Sequence, residues 1–276
     1  MDKLQVAYEF CENVIKENSK TFYRAFSFLP SSQKRAVWAI YAFCRRVDDI
    51  IDESAHPKRE ILQFEQEYAL FKKGRFVDDP MWMALTDVFQ CFDMDEQAFD
   101  DMIKGQKMDL CKNRYDTVEE MVDYSYHVAS TVGLMLLPVL APGKETELRE
   151  GAIQLGLAMQ ITNILRDIGE DLMKGRIYLP KEKFIQHHYS MKEFLHYEVN
   201  ERFISMWEEL AKMAEDSYEQ AMETVELYPE YSRIPVKGAA FLYRAILDEI
   251  RNKGYNVFKQ RNFVTDHIKE RIMASL

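Results

Sequence analysis

Two pairs of aspartates carry the pattern in this sequence most able to do chemistry. Asp48 and Asp52 lie four apart in Arg45-Arg46-Val47-Asp48-Asp49-Ile50-Ile51-Asp52, and Asp167 and Asp171 lie four apart in Asn163-Ile164-Leu165-Arg166-Asp167-Ile168-Gly169-Glu170-Asp171. Helical residues three or four apart share a face. Tyr41, Arg45, Asp48 and Asp52 therefore form one polar stripe, and Gln160, Asn163, Asp167 and Asp171 a second. A single Asp-x-x-x-Asp is ordinarily a solvated helix face. Two uncompensated pairs, each costing its helix roughly 0.2–0.5 kcal/mol in like-charge repulsion, want a reason. The second stripe also continues out of an apolar helix, where a polar row should face a cavity. Each pair suits Mg²⁺, which takes one or two carboxylates and completes its shell with phosphate oxygens of a substrate. Two facing stripes, each with an arginine beside it, would clamp a diphosphate and drive its departure by neutralising its charge.

Further polar groups flank the stripes. Asn18-Ser19-Lys20-Thr21-Phe22 reads by itself as a helix cap, yet near an anion it supplies two hydroxyls and an ammonium. Arg176-Ile177-Tyr178-Leu179-Pro180, following Gly175, brings another cation and a phenol close to the second stripe. His187-His188 has no carboxylate at ligand spacing and reads as surface. Glu193-x-x-His196 is a lone motif where a di-iron bundle needs two.

Such stripes need long helices to hold them. The 276-residue chain has only ten glycines and eight prolines, with 47% hydrophobic and 30% charged residues. That excludes a disordered chain and permits a large core without cross-links. Val37, Ile40, Tyr41, Cys44, Val47 and Ile51 recur at helical steps, as do Phe203, Trp207 and Leu210, and no run alternates with period two. The expectation is one all-α domain over residues 1–276, a helical bundle with a central cavity. Breaks are expected from Leu29 to Ser32, with Ser31 or Ser32 as N-cap, and at His56-Pro57, Asp79-Pro80, Pro142-Gly143, Gly175 to Pro180 and Pro229 to Pro235. Ser125–Gly143 and Gly151–Leu165 lack Asp, Glu, Lys and Arg altogether. The first approaches a membrane span in length, but His127, Ser130, Thr131, Pro138 and Pro142 favour a buried central helix.

The charge balance, 36 Lys+Arg against 46 Asp+Glu for a net −10, disfavours nucleic acid or anionic lipid as the main partner. Cys11, Cys44, Cys91 and Cys111 form no CxxC pair and point to a reducing compartment. The early acids lack the apolar core of a signal peptide, and the charged C-terminus is no membrane anchor. A soluble cytoplasmic protein is expected, with room for a peripheral membrane contact when an apolar product is released.

Taken together, Arg35 to Asp52, Gln160 to Asp171 and Gly175 to Pro180 resemble the squalene/phytoene synthase family over nearly the whole chain, in particular its bacterial dehydrosqualene-forming branch. The resemblance implies an isoprenoid synthase type of helical fold, two or three Mg²⁺ ions bound with diphosphate, and prenyl diphosphate substrates. Asp48, Asp52, Asn163, Asp167 and Asp171 then match metal ligands. Tyr41, Arg45, Arg166 and Tyr124 match positions at the reaction centre. Ser19, Lys20, Thr21, Gln160, Arg176, Tyr178, Tyr243 and Arg261 match substrate contacts. Asn18 stands where a histidine is common in the family, and Thr21 replaces a frequent serine while keeping the hydroxyl.

By the same resemblance, one donor loses diphosphate to give an allylic cation, which the second donor attacks to form presqualene diphosphate. A second ionisation opens the ring, and proton loss gives dehydrosqualene whereas hydride from NADPH gives squalene. No Rossmann signature is present, and NADPH is not expected. The alternatives are a phytoene synthase using C20 donors, a presqualene diphosphate synthase, a class I terpene cyclase and a catalytically silent helical partner subunit.

Substrate length has its own candidate ruler. Trp38 precedes Asp48 by ten residues, about 15 Å along a helix, close to an extended fifteen-carbon chain. Phe22 and Phe26 share a face one turn apart, so Phe26 is expected to meet Trp38 at the cavity floor, although all three also suit an ordinary core.

Overall fold

The scarcity of glycine and proline produces helix nearly from end to end. The protein, a computed structural model, is described for residues 2–75 and 77–276. It is 75% helical, and the described residues hold no strand, only one isolated parallel bridge between Arg114 and Ile177. The first half comprises α1 (Lys3–Asn18), α2 (Lys20–Phe26), α3 (Ser31–Asp52), α4 (Pro57–Lys72), α5 (Pro80–Cys91) and α6 (Glu96–Met108). Then come α7 (Val118–Ser125), α8 (Thr131–Leu140), α9 (Glu145–Arg166) and the short α10 (Ile168–Met173), α11 (Lys181–Gln186) and α12 (Met191–Leu195). The long α13 (Glu201–Glu223) and α14 (Glu230–Asn252) precede a terminal α15 (Asp266–Ala274). The expected all-α fold holds.

Helix starts follow local chemistry where the sequence supplies it. The Asp79 carboxylate accepts from Met81 N at 2.9 Å and Trp82 N at 3.3 Å, capping α5 at Pro80. Ser19 does the same for α2, accepting from Phe22 N at 3.3 Å. At α3 the expectation fails: Ser31 is already helical, and extended Pro30 is the N-cap with no side-chain bond. Pro235, at the end of an expected break, lies inside α14, and Pro138 lies inside α8. Both are buried, so packing outweighs the hydrogen bond each proline removes.

The charge-free stretch is not one regular helix. Between α7 and α8, residues Tyr126–Ser130 form a single π turn. Two glycines let neighbouring helices press on it. A Cβ built on Gly105 of α6 would lie 2.6 Å from His127 Cβ, and one on Gly156 of α9 would lie 2.4 Å from Ser130 Cα. Neither helix could approach so closely with any other residue. Single π turns recur at functional sites, and here Val128 and Ala129 of the turn face the central cavity.

α9 runs between two buried clusters. One joins α1, α3, α4, α5, α6 and α8 around Phe43, Phe64, Trp82 and Phe99. The other gathers α13, α14 and the segments after α9 around Trp207, Phe203 and Tyr189. Each fully buried ring contributes about 1.5–3 kcal/mol. Among the described residues no helix is long and apolar enough to cross a membrane.

Candidate active site

A cavity of about 510 Å³ lies between α2, α3, α8, α9 and α14. Its polar lining comes from the C-terminal ends of α3 and α9, through Arg45, Asp48, Gln160, Asn163 and Arg166, joined by Lys20 and Arg261. Earlier turns of the same two helices line it with Val37, Ile40, Ala152, Leu155 and Gly156. Ser19, Thr21, Tyr41 and Tyr243 also face it. Tyr243, Phe22 and Phe26 form a stacked aromatic row on the wall, with ring centroids 5.2 Å and 6.0 Å apart. One helix pair thus supplies both a charged end and an apolar run.

In each aspartate pair, one carboxylate is tied to cations and the other is nearly bare. Asp52 accepts from Lys174 Nζ at 2.5 Å and Arg176 at 2.6 Å. Burial works to raise its pKa, but those two bonds outweigh it and hold it below the usual carboxylate range. Asp48 has only a 3.4 Å contact with Arg45, which also pairs with Asp49 and, at 2.9 Å, Glu53. Desolvation within the cleft, then repulsion from Asp52, pushes Asp48 up to about 6. Asp167 is paired with Arg166 at 2.5 Å and with Arg261 at 3.4 Å. Asp171 has no ion-pair partner within 4 Å among the described residues, and burial followed by repulsion from Asp167 pushes it up to about 8.

The second stripe is not carried by one straight helix. α9 ends at Arg166, and Asp167 at φ −100° and ψ 15° separates it from α10. Gly169 N donates to Val257 O at 3.1 Å, so a loop carbonyl replaces the one the ladder would have used. The i,i+4 bonds from Asp167 N to Asn163 O and from Asp171 N to Asp167 O, both 2.9 Å, survive the break and keep the stripe in register. A Cβ on Gly169 would lie 2.3 Å from Phe258 O, so only glycine lets the 257–262 loop lie this close. That loop delivers Arg261 to Asp167.

Behind Asp52 lies a residue that the spacing argument missed. Asp109, with its side chain 4% exposed, accepts from Tyr124 Oη at 2.9 Å and Tyr178 Oη at 3.0 Å, and lies 3.9 Å from Arg176. Tyr124 and Tyr178 stack at 4.9 Å. Burial raises the Asp109 pKa, partly offset by Arg176 and the two phenols.

This charged cleft on a helical frame has known counterparts. Residues 15–267 match the squalene/phytoene synthase family. The chain belongs to that family. Members are prenyltransferases that join prenyl diphosphates head to head. A 4,4'-diapophytoene synthase of Staphylococcus haemolyticus is 36% identical over 283 residues, covering 100% of this chain and 98% of that protein. A 15-cis-phytoene synthase of Synechococcus elongatus is 37% identical over 275 residues, covering 95% and 89%. The crystal structure of a dehydrosqualene synthase in complex with ligand matches with a TM-score of 0.93 at 38% identity, covering 99% of this chain and 95% of that one.

Within this family member, the residues singled out from the sequence, apart from the Asp167–Asp171 pair at the end of α9 and in α10, fall mostly into two groups. Ser19, Lys20, Thr21, Phe22, Phe26, Tyr41, Arg45, Asp48, Gln160, Asn163, Arg166, Tyr243 and Arg261 line the cavity. Asp52, Arg176, Tyr178 and Tyr124 sit one layer away, strung together through Asp109. Trp38 belongs to neither group. It is buried and stacks on Tyr23 at 6.3 Å, not on Phe26. Trp38 does not line the cavity, although Val37, Ile40 and Tyr41 beside it on α3 do. His187 is not a free surface residue: its Nε2 meets Glu209 Oε2 at 2.5 Å. Glu193, by contrast, closes a capping box with Ser190 and pairs with Asn200 and Arg202, not with His196. Asp109 and Lys174 lay beyond sequence reasoning: Lys174 has Glu170 and Asp171 one turn before it in the sequence, yet its ammonium is paired with Asp52, and Asp109 meets Arg176, Tyr124 and Tyr178, all distant in sequence.

The donors fit a magnesium–diphosphate site. Asn163 Oδ1 is buried with no hydrogen-bond partner, one turn before Asp167 on the second stripe. No group of three or more metal-ligating carboxylate, His or Cys side chains is assembled among the described residues. That suits an ion whose shell is completed by phosphate rather than by a protein cage.

Proposed function

We propose that this chain joins two farnesyl diphosphates head to head, in a Mg²⁺-dependent reaction, through presqualene diphosphate to dehydrosqualene. The observation that carries the reading is the division of one cavity into a cationic, carboxylate-bearing end and a long apolar run walled by Phe22 and Phe26. Similarity to a diapophytoene synthase along the full length of both chains supports the C15 donor.

Asp48, Asp52, Asn163, Asp167 and Asp171 would hold the magnesium ions, which when bound neutralise diphosphate oxygens. Lys20, Arg45, Arg166 and Arg261 bind and orient the same anion from the cavity wall. The C1–O bond of the first donor breaks, and its electron pair leaves with diphosphate. The double bond of the second donor forms the new C–C bond, and loss of a proton closes the cyclopropane. Breakage of the second C–O bond, ring opening and loss of another proton give the hydrocarbon. The balance is two farnesyl diphosphates to one dehydrosqualene, two diphosphates and two protons, so no reductant is needed. Val132, Leu136, Leu155 and Met159 keep the cations from water along the apolar run. We further propose a cytoplasmic location, with the hydrocarbon released at a membrane surface.

Phytoene synthesis from geranylgeranyl diphosphate is the second reading, supported by relatives at 37–39% identity. Incubating purified protein with either donor, with and without Mg²⁺ and NADPH, and identifying the hydrocarbon distinguishes the two. Dehydrosqualene from the C15 donor, without NADPH, is the expected result. Phytoene as the preferred product would replace the first reading with the second, and squalene would require a hydride step.

A further inference from the structure

Among the described residues, Lys174 pairs with no side chain besides Asp52. Arg176 shares Asp52 with it, but its guanidinium is 13% exposed and is also held against Asp109. The Lys174 side chain is 48% exposed and ends α10 immediately before Gly175, whose φ is +75°. Its Nζ nevertheless crosses from α10 to α3 to sit 2.5 Å from Asp52 Oδ2. The ammonium therefore occupies the gap between the two stripes. Its charge also acts on Asp48 and Asp171, the two bare carboxylates. It contacts Asp52, one of the carboxylates proposed to hold the metal.

We propose that Lys174 is a resident counter-ion for the first aspartate pair, holding Asp52 closed to metal until magnesium arrives together with diphosphate, and then yielding it. This rests on Asp52 being a metal ligand. An ammonium 2.5 Å from Asp52 Oδ2 repels a second cation brought to the same oxygen, so the ammonium and the metal compete. Diphosphate tips the competition, because it supplies oxygens to the metal and a new anionic partner to the displaced lysine. The device would keep the substrate-free cleft from loading stray divalent cations while preventing repulsion between Asp48 and Asp52 from opening it.

The test uses the full chain and Mn²⁺ as the probe, with binding read by electron paramagnetic resonance and calorimetry, with and without inorganic diphosphate. Lys174→Gln should bind Mn²⁺ at least about fivefold more tightly than wild type when diphosphate is absent. The gap should shrink when diphosphate is present, and Lys174→Arg should restore weak binding. A lysine that merely braced α10 would weaken metal binding when lost, the opposite sign. Unchanged or weaker Mn²⁺ affinity in Lys174→Gln would overturn the proposal while leaving the metal site intact, provided wild type binds Mn²⁺ with diphosphate. Absence of Mn²⁺ binding by wild type even with diphosphate would overturn both this proposal and the metal assignment beneath it. Circular dichroism on each variant separates these outcomes from misfolding, with Met173→Ala, an 80% exposed neighbour, as the control.

Discussion

Arg176 reaches Asp52 at 2.6 Å across 124 positions of sequence. That bond joins the first aspartate stripe to the segment following the second, and Arg176 also lies 3.9 Å from Asp109. Asp109 in turn fixes the Tyr124 and Tyr178 phenols. The contact is what turns two helix faces and a loop into one site. It also explains why Asp52 is ionised and occupied while Asp48, one turn away, is left open to the cavity.

Asp48→Asn and Asp171→Asn should each abolish product formation with the fold intact. Each removes a proposed metal ligand and also relieves like-charge repulsion. Far-UV circular dichroism should be unchanged, and the metal-free melting temperature at pH 8 should hold or rise. Wild-type turnover in either variant at saturating Mg²⁺ would defeat the metal assignment.

The pH dependence has a definite sign. The Asp171 carboxyl, pushed up to about 8, is protonated in the metal-free fold at neutral pH. Its stabilising share is complete below about pH 4 and is lost as pH rises through 8, by an amount of about 2–4 kcal/mol after screening. The stability difference between wild type and Asp171→Asn should therefore widen in favour of the variant between pH 4 and 8, in urea titrations at several pH values. Metal loading at pH 7 with inorganic diphosphate should release roughly one proton from this group, measured by calorimetry in buffers of different ionisation enthalpy. A flat difference curve would show that Asp171 is ionised throughout.

Phe26→Ala should lengthen the cavity and admit the C20 donor, giving a C40 product. The ring lines the cavity and is 5% exposed, so its loss should cost about 3 kcal/mol. Trp38→Ala, one layer out on Tyr23, should give the smaller gain in C20 use. Product analysis with geranylgeranyl diphosphate, alongside denaturant melts, checks both. Equal use of C15 and C20 donors by wild type would remove any role for Phe26 as a floor.

Gly169→Ala should lower stability by about 1–3 kcal/mol, because its Cβ would lie 2.3 Å from Phe258 O. Relief requires the 257–262 loop to retreat, which draws Arg261 away from Asp167. The expected reading is a raised KM for the prenyl diphosphate together with a lowered melting temperature. A KM unchanged from wild type would show that Arg261 stays in place without the close approach.

The sequence by itself determined the helical class and most of the cavity wall. Both depend on local periodicity: Tyr41, Arg45 and Asp48 share a face of α3, and Gln160 and Asn163 share one of α9, whatever packs on them. Local rules failed wherever burial outweighed them, as at Pro138 and Pro235, whose helices continue because their faces are packed on both sides of the proline. Trp38 was misplaced because a helix position near the edge of a face is assigned by its neighbour, here Tyr23, and not by its own spacing. The break at Asp167 came from Val257 O, a carbonyl ninety residues downstream competing for the Gly169 N–H. Asp109 and Lys174 acquired their roles only when folding placed them beside Arg176 and Asp52; local spacing offers Lys174 the carboxylates of Glu170 and Asp171, and only the packing of α10 on α3 directs it to Asp52. The tertiary structure alone decided which carboxylate of each pair is tied to a cation and which is left bare, because that depends on where Lys174, Arg176 and Arg261 are brought in space.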